Sequence, residues 1–218
     1  MFIGHFAVGL ASKRLAPQTN LAWLLAAPLF LDMLWPIFLL LGIEHASLVP
    51  NAPTPFLVLG LDHYPWSHSL VMAVVWGLAL VAVARSRRVI APAWLLVVLV
   101  VSHWVLDVAS HAPDLPLWPG SSPRFGLGLW NSIPLTLLIE GTLWIVAVVV
   151  YVKGRPERSQ GRVAFWSLVA ITTLMWATSP WSPPPPSTRA LGWFALIGWI
   201  IVPWAALADR SAARTSRA

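Results

Sequence analysis

Residues 91–111 read APAWLLVVLVVSHWVLDVASH. The run 91–109 is apolar over a length that can cross a bilayer, yet it carries His103 and Asp107, with His111 just beyond. Positions i, i+4 and i+8 of a helix are offset by only about 40° each, so these three side chains are expected on one face near the outer end of the helix. An ionisable group inside a bilayer is costly unless it pairs or binds something. A membrane helix with such a face is expected to build a site, and histidine with carboxylate is the ligand set of zinc and similar divalent metals.

The rest of the chain has the same character. Of its 218 residues, 58% are hydrophobic and 10% charged, a balance that does not suit a soluble domain of this length. Apolar runs recur at 21–42, 67–84, 91–109, 132–152, 163–179 and 190–208. They predict an all-α, polytopic membrane helical bundle of about six transmembrane helices. Trp66, Trp94, Trp118, Trp130, Trp181 and Trp204 fall near the ends of these runs, where an indole suits the headgroup layer. Residues 2–16 are apolar but too short to span, and they predict a short buried N-terminal half-helix. No basic residue precedes that stretch, while Lys13 and Arg14 follow it, which is not the layout of a signal peptide. His5 lies about nine residues, or roughly 13 Å of helix, deeper than this basic end. Gly4 and Gly9 permit close packing there.

The basic residues sort by side. Lys13, Arg14, Arg85, Arg87, Arg88, Lys153, Arg155, Arg158, Arg162, Arg210, Arg214 and Arg217 fall on one face of a six-span arrangement, with Arg124 and Arg189 opposite. The positive-inside rule makes the crowded face cytoplasmic, so both termini are expected to be cytoplasmic. The net charge of +6 is accounted for by topology, and no nucleic-acid partner is expected. Without cysteine, thiolate ligands are excluded.

Further ionisable residues sit at compatible depths. Asp32 lies near the middle of 21–42, and Pro36 is expected to kink the helix close to it. The outer loop ends in Asp62-His63-Tyr64-Pro65-Trp66-Ser67-His68-Ser69, where Pro65 can start a helix and place His68 in its first turn. His5, Asp32, His63, His68, His103, Asp107 and His111 are thus the candidate metal ligands. His63 has the alternative of capping the surface turn, and Asp62 of being a turn residue. Asp32 has the alternative of stabilising the kink or carrying a proton. Glu44 and His45 read as a solvated outer pair. Glu140 stands alone mid-way along 132–152, and orienting a histidine, ligating the metal and serving as general base are all open to it. Asp114, nearer the outer mouth, is the second catalytic candidate. Runs 163–179 and 190–208 contain neither acid nor histidine, so 1–153 is expected to form the metal-site bundle and 154–218 an accessory helix pair joined by Pro183 to Pro186.

Several of these motifs together resemble the bacterial membrane-bound metal-dependent hydrolases of the YdjM/YbcI-like family. That family shows an N-terminal Gly-His or Thr-His helix, an aspartate motif closing the next segment, a His-x-x-x-Thr-His-Ser element, His-x-x-x-Asp and a Leu-x-Pro-like loop. Here these are Gly4-His5, Asp32, His63 through Ser69, His103 through Asp107, and Leu117-Trp118-Pro119, over roughly residues 3–131. The chain departs in having Asp32-Met33-Leu34 for Asp-x-Asp, His63-Tyr64-Pro65 for His-Arg-Gly, and Ser67 for threonine. The resemblance implies a metal site, hydrolytic chemistry and a bacterial inner (plasma) membrane location.

A divalent ion, zinc first, lowers the pKa of a bound water and polarises a phosphoryl or carbonyl oxygen. The candidate ligands exceed the four of one zinc, so one or two ions are expected. A site in the outer half of a bilayer meets lipids before soluble solutes, and Arg124 is positioned to attract a phosphate or to be an ordinary loop arginine. The leading expectation is a hydrolase of a lipid-like phosphoester or ester. A metal or proton transporter using the same cluster and a structural protein pinned by its metal are the alternatives. A transporter needs polar residues through both halves of the membrane, and these cluster in the middle and outer half.

Overall fold

A computed structural model describes residues 1–154 and 161–209. Arg155, Arg158, Arg210, Arg214 and Arg217, used above for orientation, lie outside the described residues. The chain is an all-α bundle with two small hairpins at one end. Its helices are α1 (Phe2–Ser12), α2 (Leu21–Leu40), α3 (Pro65–His68), α4 (Leu70–Ser86), α5 (Ala93–Ser110), α6 (Ile133–Lys153), α7 (Arg162–Thr178), α8 (Thr188–Ala195) and α9 (Ile201–Ala208). Among the described residues, five helical segments are long and apolar enough to cross a membrane: α2, α5, α6, Arg162–Trp181, and Thr188–Ala208 with α8 and α9 joined through a tight helical turn. Side chains on their outer faces stay apolar, as Leu138, Ile145 and Val146 do on α6 and Val74 and Leu78 on α4. Helices apolar on every side suit a lipid surround, and the chain is a multi-pass membrane protein.

The run expected as one span from residue 67 is divided. Ser69 is extended (φ −84°, ψ 152°), and its Oγ accepts a hydrogen bond from Met72 N at 3.3 Å. A serine in that conformation caps the helix after it. His68 is therefore the last residue of the one-turn α3, not part of the first turn of a span, and α4 keeps 17 residues.

The half-helix α1 is buried as expected, with Ile3, Phe6 and Leu10 at most 2% exposed. It packs between α2 and α6. Pro28 and Pro36 both lie inside α2. A proline has no N–H for the carbonyl four residues earlier, so Leu24 and Asp32 each lose that helical partner. Gly9 of α1 packs where the Leu24 carbonyl is exposed: a Cβ there would stand 2.7 Å from Leu24 O.

The outer end carries the hairpins. Strand β1 (His45–Leu48) pairs antiparallel with β2 (Leu59–His63), placing His45 opposite His63. Strand β3 (Leu115–Pro116) pairs with β4 (Arg124–Phe125). At the other end, Lys13 Nζ lies 2.6 Å from Asp209 Oδ2, which also accepts from Leu21 N at 2.9 Å. The C-terminal helices lie along α2, where Trp199 Nε1 donates to Met33 O at 3.1 Å, next to Asp32.

Candidate metal centre

Helix α5 brings His103 and Asp107 to one face, as their spacing requires, and both are buried (0% and 2% exposed). His103 Nδ1 lies 2.6 Å from Pro28 O on α2. A carbonyl only accepts, so Nδ1 carries the proton and Nε2 presents its lone pair. Around that lone pair stand Asp107 Oδ2 at 3.0 Å, His68 Nε2 at 3.3 Å and Asp32 Oδ1 at 3.7 Å. His68 Nε2 is itself 3.4 Å from Asp32 Oδ1. His68 Nδ1 sits 2.7 Å from Ser67 Oγ.

Acceptors therefore converge at His103 Nε2, an arrangement that favours a positive centre among them. A single added proton satisfies one acceptor; a divalent ion satisfies several. Two nitrogens on one tetrahedral zinc, at about 2.0–2.1 Å each, stand about 3.3–3.4 Å apart. The His68–His103 separation of 3.3 Å matches that spacing. Two donor sets have all their atoms within 4.8 Å of one another: Asp32, His68 and His103, and His5, His103 and Asp107. They share His103. In the second set, His5 Nε2 is 3.1 Å from Asp107 Oδ1, and its ring stacks on His103 with centroids 3.8 Å apart. Asp107 Oδ1 only accepts, so His5 carries its proton on Nε2, and its lone pair falls on Nδ1, which has no hydrogen-bond partner among the described residues. The Met1 amino group also pairs with Asp107 Oδ1. The residues present fit a zinc-like ion, and the Asp32 set is the better prepared.

A cavity of about 200 Å³ opens over this cluster. Asp32, His68, Asp107, His111 and Asp114 form its polar part, and Asp32 turns a half-exposed side chain to it. Trp35, Phe56, Leu57, Leu59, Leu61 and Trp130 supply apolar wall. No lysine or arginine is among the lining residues.

The remaining expected residues fall in three settings. His111 is the cap beyond α5 (φ −72°, ψ 158°), so it does not continue the helical face of His103 and Asp107. Its ring still returns to the site, with Nδ1 3.2 Å from Asp114 Oδ1 and Nε2 3.8 Å from Asp107 Oδ1. His63 does not join the cluster. It is exposed on β2, its ring 6.2 Å from His45 across the hairpin. Alternation along extended chain explains this: adjacent residues face opposite ways, and Tyr64 takes the inward place. Glu140 lies 1% exposed on α6 and accepts from Ile3 N at 2.9 Å, holding the first turn of α1, and it does not line the cavity. Arg124 is exposed, and its guanidinium donates to Asp114 O at 3.0 Å.

Three participants are not legible in the residue pattern. Glu44, expected in solvent, is fully buried against the start of α3. Tyr64, 1% exposed, donates its hydroxyl to Asp114 Oδ1 at 2.6 Å. Burial and the Asp114 carboxylate push the phenol well above its ordinary pKa, so it remains a donor. The Pro28 carbonyl is backbone and carries no residue signature. Ser67 beside His68 was the one readable hint, since a hydroxyl next to a ligand can orient its ring. Comparison with known proteins adds no further constraint: no family model, curated protein or solved structure matches the chain.

Proposed function

We propose that this chain is a membrane-bound, metal-dependent hydrolase of a lipid-like phosphoester or ester, with a divalent metal, zinc first, held by Asp32, His68 and His103. The observation that carries this reading is the pair of Nε2 atoms 3.3 Å apart beside Asp32, at the base of a cavity with an apolar wall. Two histidines and a carboxylate form a catalytic type of ligand set, which leaves a coordination position open. When bound there, the ion supplies Lewis-acid polarisation and makes water a stronger acid.

The chain's own residues do the rest. Asp114 Oδ1 orients His111 through Nδ1, leaving Nε2 turned toward the cluster. A proton accepted at that nitrogen is balanced by the Asp114 carboxylate. Tyr64 holds Asp114 in place. Asp32, Asp107 and Asp114 line the cavity with no lysine or arginine among the lining residues, so metal charge that offsets the carboxylates favours entry of an anionic phosphoester. The apolar wall receives a hydrocarbon tail. The resemblance to the YdjM/YbcI-like hydrolases supports the same reading, and with it we propose a bacterial inner-membrane placement with both termini cytoplasmic. Lys13, Arg85, Arg87, Arg88, Lys153 and Arg162 support that orientation by following or preceding helices at the end opposite the hairpins.

The test is zinc content and hydrolysis measured together on detergent-solubilised protein, using a chromogenic alkyl phosphodiester and the matching carboxylic ester. Saturable zinc binding that is lost in His68→Ala, with hydrolysis falling at least about 100-fold in Asp114→Asn while zinc is retained, is the expected result. Protein that binds no zinc or other divalent ion saturably would refute the reading.

A further inference from the structure

The charged residue best placed to prepare the site lies outside it. Glu44 precedes β1 and is fully buried, with no ion pair to a cation among the described residues. Its carboxylate is instead held by α3. Oε1 accepts from Trp66 N at 2.8 Å and Ser67 N at 2.7 Å, and Oε2 accepts from Ser67 Oγ at 2.6 Å. A buried carboxylate with this many donors is a built feature of the fold, since an unsatisfied charge there would be severely penalised.

The consequence lies one bond further in. Ser67 has one hydroxyl proton. Three groups can take it: Glu44 Oε2 at 2.6 Å, His68 Nδ1 at 2.7 Å if that nitrogen is unprotonated, and Tyr64 O at 3.4 Å; the carboxylate can only accept and is the strongest acceptor, so the proton goes to Glu44. Ser67 Oγ can then only accept from the His68 ring nitrogen 2.7 Å away. His68 Nδ1 is thereby protonated, and Nε2 is left as a lone pair facing Asp32 and His103. The direction of every hydrogen bond in this chain is set by the charge at its far end.

We propose that Glu44 is a positioning residue for the metal centre, which through Ser67 locks His68 in the Nδ1–H tautomer that presents Nε2 to the ion. This rests on the hydrolase reading for its purpose, but the tautomer itself does not. Carboxylates that act on a ligand histidine through its second nitrogen commonly contribute 10- to 100-fold in metal affinity. Here the carboxylate acts across an intervening hydroxyl and reaches from a hairpin the metal never touches.

Glu44→Gln keeps the shape and inverts the logic. If the amide NH2 faces Ser67, it donates to Oγ, the serine proton turns to His68 Nδ1, and the ring proton moves to Nε2. If the amide oxygen faces Ser67, the NH2 opposes two backbone N–H groups. The first readout is the 15N chemical shifts of the His68 ring in the metal-free, detergent-solubilised full chain. Nδ1–H in wild type, with a shift toward Nε2–H in Glu44→Gln, is expected. An unchanged tautomer in the variant overturns the proposal whether or not the protein binds metal. The second readout is zinc affinity by chelator competition in a cycle with Ser67→Ala. Glu44→Gln is expected to lower affinity about 10- to 100-fold in the wild-type background and less than about 3-fold once Ser67 is Ala. Equal losses in both backgrounds would mean that Glu44 only pins the α3 backbone, and would refute the relay. Absence of zinc binding in the wild type would instead remove the hydrolase reading and leave the tautomer result to decide this one.

Discussion

Replacing Gly9 by alanine should separate the two donor sets that share His103. Gly9 lies on α1 one turn beyond His5, against α2. A Cβ at this position would stand 2.7 Å from Leu24 O and 2.7 Å from Leu25 Cδ2. Ordinary contact begins near 3.4 Å, so α1 and α2 must part by about 0.7 Å, because one of the two atoms is backbone that cannot rotate away. Overpacking of this kind costs about 1–3 kcal/mol. For a chain of this length that is roughly a 2–12 °C fall in Tm. A comparable displacement at His5 would stretch its 3.1 Å contact with Asp107 beyond hydrogen-bond range. Asp32, His68 and His103 are carried by α2, α3 and α5, so none of the three moves with α1 itself. Differential scanning fluorimetry and chelator competition for zinc, both in detergent, give the two readouts. We expect the lower Tm together with zinc affinity within about 3-fold of wild type. A loss of affinity of 100-fold or more in a protein that remains folded would show that His5 is a required ligand and that the Asp32 set is not the centre. An unchanged Tm would refute the packing argument.

His103 belongs to both sets, so His103→Ala should reduce zinc affinity by more than the roughly 100-fold attached to an outer positioning residue, about 2.7 kcal/mol or more. His63→Ala should leave it unchanged, and isothermal titration of the two variants side by side checks the pair. Glu140→Gln should keep both zinc and hydrolysis, because the carboxylate serves the α1 amide of Ile3. Its cost should be about 1 kcal/mol, seen as a modestly lower Tm, for the lost charge at a helix N-terminus. Loss of hydrolysis with zinc retained would restore Glu140 as the base.

What could be read from the chain was whatever depends on near neighbours. Apolar runs marked the helices because crossing hydrocarbon is a local requirement of length and composition. The four-residue spacing put His103 and Asp107 on one face because helix geometry is local too. The burial of α1 followed from a segment too short to span and too apolar for water. Asp32 and His68 were legible as costly residues needing partners, though their partners were not. Tertiary structure decided the rest. Ser69 chose the cap conformation and cut α3 from α4, and His111 left the helix at its end. The hairpin then determined which of His63 and Tyr64 faces inward. Glu44 is the plainest case: beside His45 in an outer loop it reads as solvated, and only the folding of the loop across α3 surrounds it with donors. The Pro28 carbonyl that sets the His103 tautomer has no residue signature at all. Helical period and hydropathy act within a few residues, while the proton positions that would make histidines into ligands are fixed by groups brought together from distant parts of the chain.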